Sequence, residues 1–380
     1  MEELKPEIKR KRSHSPIAMI IILPIFISIL YFPQLLIVHT FTIIHETTMT
    51  SFHYFIPLII LGSFAILMLS KYISLTLFSY IYILFGIMLS MELYTTFTSL
   101  IILLIFKFTT IPLTLSYFIL LIIPIIICIY GIVNVYITKI DFITLKSKHI
   151  QNKKRIVHLS DLHLGTSYQK SFVERIVKQI QQLKPDVVAI TGDVPDGPIK
   201  VKNEWLSPFD KLDIPIVYVT GNHEAIHGTE SFLQILNSTK IIHIESGVKE
   251  IEGINFIGID FGYDLKETLS HYSSQYKDSG KVNVLLHHIP SITADELEKF
   301  GVFLFLSGHT HGGQIFPLHI FAYLANKCYA GLYRSKNGKS NCYVSTGVGA
   351  SVTPMRIGTR SVIGVIDIEG VEKEESEKEK

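Results

Sequence analysis

Five stretches of this chain place Asp, Asn and His side chains directly after short apolar runs. "RIVHLS" leads into Asp161 and His163, "DVVAIT" into Gly192 and Asp193, and "IPIVYVT" into Gly221, Asn222, His223 and Glu224. "VNVLL" leads into His287 and His288, and "FLFLS" into Gly308, His309 and His311. Carboxylates and neutral imidazoles bind divalent transition metals, and an Asn amide oxygen completes a mixed oxygen and nitrogen set. One Asp can bridge two ions about 3.5 to 4 Å apart, and such a pair can both activate water and clamp a phosphoryl group. Taken singly, an Asp-x-His is usually a surface or capping pair, and a Gly-Asn-His-Glu is usually a turn before a helix. All five together, each at the end of an apolar run, have no comparable structural explanation.

The elements that must position these residues follow from the same pattern. Further strands are expected at "INFIGI", "CYVST" and "VIGVIDI". Phe172, Ile176, Ile180 and Leu183 recur at helical spacing, and helical segments are expected near 229–237 and 291–299. Strands alternating with helices indicate a layered α/β domain. In open α/β sheets ligands gather beyond the carboxyl ends of the strands, so five strand ends deliver polar groups to one edge. The glycines at 192, 221 and 308 permit the sharp exits that such crowding requires.

The first part of the 380-residue chain is different in kind. With 48% hydrophobic residues and a positive mean hydropathy of +0.36, the chain is too apolar for one ordinary soluble domain. No Asp, Glu, Lys or Arg lies between Arg12 and Glu46, between Glu46 and Lys71, or between Lys107 and Lys139. A fourth apolar block, 73–106, is interrupted only by Glu92. A bilayer's hydrocarbon takes roughly 20 helical residues, and splitting this block at Glu92 leaves a second piece below that length. Four spans are therefore expected, about 17–38, 54–70, 73–106 as one long or kinked span, and 111–137. The first lacks a small-x-small cleavage site and exceeds a signal peptide's apolar core, so it reads as a retained anchor.

Residues 1–150 thus form a transmembrane region, 151–369 a catalytic domain, and 370–380 a charged, frayed tail. The N-terminal Lys and Arg cluster, Lys71, and the basic residues from Lys139 to Arg155 all fall on one side of a four-span topology, which places the domain in the cytoplasm. Glu92, Lys71 and Lys107 read as interfacial anchors at span ends. A net charge of +2 gives no reason to expect nucleic acid as a partner. Cys128, Cys328 and Cys342 match no metal-binding spacing.

The blocks "SDLHLG", "TGDVPDG", "GNHE", "LLHHIP" and "GHTHGGQIFP" resemble the five signatures of calcineurin-like metallophosphoesterases. The last block is most similar to the bacterial branch with an N-terminal membrane anchor. The resemblance covers about 155–369 and implies a β-sandwich flanked by helices, with a dinuclear site at one end. Carried onto this sequence, it implies that Asp161, His163 and His311 hold one metal and that Asp193 bridges. Asn222, His288 and His309 would hold the other metal. His223 would stand at the scissile phosphate without binding metal, to stabilise the transition state or protonate the leaving oxygen. A bridging water or hydroxide would be the nucleophile.

In "LLHHIP" the residues alone leave either histidine as ligand, and the family's spacing before the Pro selects His288. His287 is then a packed side chain or a substrate contact. Asp196 reads as a loop or helix-cap residue rather than a ligand. The run "RIGTRSVIGVIDI" departs from the Arg-Pro-rich pattern of this branch, which leaves a substrate contact by Arg356 open.

The expected activity is hydrolysis of a phosphoester or pyrophosphate bond by a membrane-anchored enzyme with two divalent ions, Mn, Fe or Zn. Its expected partners are the lipid bilayer and either a lipid-linked phosphate or a phosphorylated small molecule such as a nucleotide derivative. The alternative is a membrane-tethered metal-binding sensor without turnover. A transporter would require paired polar groups within the spans, and none is visible.

Overall fold

The computed structural model describes residues 76–109 and 111–371. The expected spans near 17–38 and 54–70, and nearly all of the charged tail, lie outside the described residues. Two helices open the described chain, α1 (Thr76–Phe106) and α2 (Leu113–Val135). Both are long and apolar enough to cross a membrane. They stand where the expected third and fourth spans fall. α1 runs through Glu92 without a break, as one long span requires, so Glu92 sits in mid-helix and not at a span end.

Beyond α2 come twelve strands in two mixed sheets. The first is ordered β1-β12-β2-β3-β4-β5: β1 (Thr138–Lys146), β2 (Lys154–Leu159), β3 (Val187–Thr191), β4 (Ile216–Val219), β5 (Ile242–His243) and β12 (Ser361–Glu369). The second is ordered β10-β11-β9-β8-β7-β6: β6 (Ser246–Ile251), β7 (Ile254–Ile259), β8 (Val282–Leu286), β9 (Leu304–Ser307), β10 (Gly331–Arg334) and β11 (Asn341–Val344). The sequence boundary near 139–154 falls inside this fold. β1, drawn from that basic stretch, pairs parallel to β12 from Thr138↔Ser361 to Lys146↔Glu369 and forms an edge. Exposed Lys139 and Lys146 beside buried Leu145 suit a strand with one wet face, and Lys on an edge discourages further pairing.

The strands alternate their side chains between two cores. Val187 and Ala189 of β3 face inward, toward Val284, Leu286 and Leu304 of the second sheet. Val188 and Ile190 face outward, onto a helical layer. That layer includes α3 (Lys170–Leu183), whose Phe172, Val173, Ile176, Val177 and Ile180 are buried along one stripe. The short helices α4 (Asn203–Leu206), α5 (Asn222–His227) and α6 (Thr229–Leu236) follow on the same chain segment. On the outer face of the second sheet, Leu269 and Tyr276 of α7 (Leu265–Tyr276) and Leu297 of α8 (Ala294–Glu298) cover Ile257, Leu285 and Phe305. The result is helix, sheet, sheet, helix. A last helix, α9 (His319–Ala325), buries none of its side chains.

The α1–α2 hairpin is docked on the domain. Tyr94 and Cys128 share a buried cluster with Ile315, Met355 and Ile357. Asn134 Nδ2 donates to the carbonyls of Arg356 and Thr359, both at 2.9 Å, and Thr353 Oγ1 donates to the Gly86 carbonyl at 3.1 Å. A Cβ on Gly86 would meet Thr353, so the close approach needs glycine there.

Candidate metal centre

The loops after β2 and β3 continue to pair beyond their strands. The amides of Asp161, His163 and Leu164 donate to the carbonyls of Gly192, Asp193 and Val194. This pairing holds the two loops side by side and turns both aspartates to the same end of the first sheet. It also demands an unusual backbone: Asp161, His163, Asp193, His309 and His311 all have φ between 49° and 72°. Left-handed non-glycine residues cost of order 1 to 3 kcal/mol each, and persist where the surroundings over-determine them. Gly192, at φ 81°, carries the turn before Asp193. At Gly308 a Cβ would collide with the Ser160 hydroxyl and the Asp161 carboxylate, so only glycine admits the His309 strand end so close.

Eight residues singled out in the sequence meet here. Asp161, His163 and His311 offer donor atoms within 4.8 Å of one another, and so do Asp193, His288 and His309. Asn222 Oδ1 lies 2.9 Å from His309 Nδ1. His223 flanks both groups, its ring 4.6 Å from that of His163 and its amide donating to Asp193 Oδ1 at 2.8 Å.

The donor set fits divalent cations. His163 Nε2 and His311 Nε2 face each other at 3.0 Å, with Asp161 Oδ1 3.3 Å from the latter. His288 Nε2 is buried without a well-aligned hydrogen bond and lies 3.0 Å from Asp193 Oδ2. Burial drives His311 well below its ordinary value, with nearby His163 and Arg356 adding to this. Burial likewise brings His309 down to about 4, aided by His288. Both are thus neutral imidazoles, the form that ligates metal. Burial pushes Asp161 up, but His311, His163 and His288 outweigh it and hold the carboxyl well below the usual range. Burial also opposes charge on His288, and Asp193 and Asp161 override it to raise the ring to about 9.

Two carboxylates outside the expected ligand set build the frame. Asp196 is indeed a loop residue that accepts from its neighbour's amide, Gly197, at 2.8 Å. It also lies between two imidazoles, with Oδ2 3.4 Å from His163 Nδ1 and Oδ1 3.2 Å from His223 Nδ1. His227 Nε2 stands 3.8 Å away. His163, Asp196 and His223 also lie close enough to hold an ion. However, His163 turns Nε2 to Asp161 and His311 and Nδ1 to Asp196, the arrangement by which a carboxylate orients a metal-binding histidine from behind. Burial opposes the charge on His223, but Asp193 and Asp196 raise it to about 10.

Glu224 is fully buried, with Oε2 accepting from the amides of Asp193 and Gly221 and Oε1 from Val194 N and Tyr218 Oη. It ties the β3 exit to the β4 exit. An acid directly after the Asn-His pair was its only sequence signal. His287 is packed: its Nδ1 meets the Ile259 carbonyl at 2.8 Å, and burial brings it down to about 4. Arg356 is fully buried and makes no exposed substrate contact. Its guanidinium is taken up by the carbonyls of Gly349, Thr346, Gly347, His311 and Arg360, and Nη2 lies 3.3 Å from His311 Nδ1.

Residues 154–313 match the profile of the calcineurin-like phosphoesterase family. Over 228 residues the chain is 34% identical to an uncharacterized metallophosphoesterase of Helicobacter pylori, covering 57% of this chain and 60% of that one. Over 267 residues it is 32% identical to a transmembrane protein with metallophosphoesterase domain from Danio rerio, covering 64% and 60%. An uncharacterized metallophosphoesterase of Aquifex aeolicus is 28% identical over 257 residues, covering 63% of this chain and 95% of that one. The chain spans 60% of the length of the first two relatives.

Proposed function

We propose that the chain, whose residues 154–313 match the calcineurin-like phosphoesterase profile, is a metal-dependent hydrolase that cleaves a phosphoester or pyrophosphate bond in a lipid-linked phosphate or a membrane-proximal nucleotide derivative. The observation behind this reading is a small cavity lined by Tyr82 and Ile83 of α1 together with His163, Thr166 and Asp196. An apolar helix thus borders the metal centre on its His163 and Asp196 side. Tyr82 lies 24 residues before Phe106, about 36 Å along the helix at 1.5 Å per residue. If α1 crosses a hydrocarbon layer about 30 Å thick, the centre stands just beyond it, at the depth of lipid phosphates.

Asp161, His163 and His311 would hold one cation and Asn222, His288 and His309 the other, with Asp193 between. Mn, Fe or Zn suits this oxygen and nitrogen set. Two such ions supply charge stabilisation at the phosphoryl oxygens and an acidified water. The chain's own part is to present these donors at fixed angles and to hold a proton on His223. With Nδ1 turned to Asp196, that ring directs Nε2 toward the side of the site where Asp193 Oδ2 stands 3.9 Å away, placed to protonate the leaving oxygen. Four spans would put the domain on the cytoplasmic side, and protease that cuts the domain only after the cells are opened is the expected result.

The test uses the full chain in detergent, because cutting at residue 150 would delete β1 from the first sheet. Two metals per chain are expected, with turnover of chromogenic phosphomonoester or phosphodiester substrates. Turnover is lost in Asp193→Asn and His223→Asn, and metal only in the former. Stoichiometric metal without turnover of any phosphate, lipid-linked ones included, would refute the enzyme and leave a metal-binding sensor. Turnover of soluble nucleotides far above that of any phospholipid head group would refute the lipid part.

A further inference from the structure

The segment that follows His309 and His311 carries an apolar surface that nothing in the domain covers. Phe316, Leu318, Ile320, Phe321, Tyr323 and Leu324 are 43% to 74% exposed, and all but the first two belong to α9. A cluster of this kind, outside any core, marks a surface that meets a partner. We propose that α9 and the turn before it sink into the near leaflet of the bilayer, a second membrane contact made by the catalytic domain itself. The inference rests on the reading of α1 and α2 as membrane-crossing.

The occupant is fixed by continuity and length. This segment is joined to α1: Tyr94 Oη donates to the Phe316 carbonyl at 2.8 Å, and the Phe97 and Phe316 rings lie 6.4 Å apart. Above and below that junction α1 exposes Leu84, Met88, Ile101 and Leu104, so the apolar surface of the segment extends that of the hairpin. Tyr94 is only twelve residues before Phe106, about 18 Å along the axis. On α2 the domain contacts begin at Ile127 and Cys128, about 21 Å from Leu113. The free part of the hairpin is thus about 10 Å short of a hydrocarbon layer about 30 Å thick. A hairpin that crosses must draw the level of Phe316 below the lipid surface, and an apolar helix with Phe and Tyr is the composition that interfacial immersion calls for. Glu92, the one acidic or basic residue of α1, lies half-buried on the stretch docked to the domain.

The experiment uses the full chain in vesicles of phosphatidylcholine brominated at shallow acyl positions. The native Trp205 is buried, so introduced tryptophans can be read against it. Phe321→Trp and Leu324→Trp replace exposed side chains and leave the core untouched. Both are expected to lose emission relative to unbrominated vesicles, as does Leu104→Trp on the hairpin. Lys249→Trp on β6, at the opposite edge of the second sheet, keeps its emission. Quenching at Leu104→Trp with none at Phe321→Trp and Leu324→Trp overturns the inference and assigns the face to protein, either a second copy or residues 1–75. No quenching at any of the three overturns it together with the membrane reading.

Discussion

Asp196→Asn tests whether a carboxylate that ligates nothing sets the properties of both a metal ligand and the candidate acid. The substitution keeps shape and one acceptor while removing the charge between His163 Nδ1 at 3.4 Å and His223 Nδ1 at 3.2 Å. Both contacts are charge pairs without well-aligned hydrogen bonds, for which the range of a hydrogen bond to a charged group, about 1.5 to 3 kcal/mol, is an upper bound. At 1.36 kcal/mol per factor of ten, each imidazole then loses at most on the order of 10- to 100-fold in the property that the carboxylate supports. That range matches the usual effect of removing a carboxylate behind a metal-binding histidine. For His163 the property is affinity, so the Kd of one of two cations rises by that factor in a chelator competition. For His223 it is the held proton, so kcat at saturating metal falls and the alkaline limb of its pH profile moves to lower pH. The amide also satisfies only one of the Gly197 and Val352 amides that the carboxylate accepts. The melting temperature of the chelator-treated protein therefore serves as the control. Unchanged metal affinity together with an unchanged pH profile, in a protein of normal stability, would refute the orienting role.

Other outcomes follow from buried groups. Glu224→Gln must set its amide nitrogen against the amides of Asp193 and Gly221 or against that of Val194, so at least one backbone amide left unsatisfied costs about 1 to 3 kcal/mol, read as a lower Tm with weaker metal binding. Arg356→Ala strips donors from buried carbonyls of the 346–349 loop, each left unsatisfied at about 1 to 3 kcal/mol, and is expected to lower stability in denaturation, with Arg356→Lys failing to restore it because a point charge cannot replace the planar fork. His158 is fully buried, and burial brings it from 6.5 to about 3. The folded state therefore binds this proton less readily than the unfolded chain, so the stability it supports is present above pH 6.5. That stability is lost as pH falls toward 3, at up to about 1.4 kcal/mol per unit. Stability measured against pH in chelator is expected to show a shallower acid slope in His158→Phe, and an identical slope would contradict the buried neutral state.

The ends of the apolar runs were legible in the sequence because a strand buried on both faces has to be continuously apolar, and a polar cluster at its end has few other uses. "INFIGI" and "VNVLL" coincide with β7 and β8 to the residue. Strands with a wet face or few residues, β1, β5, β6 and β10, carry charges and turn residues and left no such signature. α7 and α9 were equally silent, the first with a sparse apolar stripe, the second with no polar face at all. Within the site, the sequence supplied Asp161, His163, Asp193, Asn222, His223, His288, His309 and His311 as types with donor atoms. Tertiary structure alone decided what stands behind them. Asp196, Glu224 and Arg356 act through contacts with residues up to 156 positions away, as when Asp196 accepts from Val352. The same holds for the hairpin: hydropathy marks two apolar helices, but only their docking through Tyr94, Asn134 and Gly86 sets one of them beside the metal centre. A donor atom is a property of the residue type and can be read along the chain. Orientation, burial and the charge that holds an imidazole in place depend on distances across the fold, which the order of residues does not state.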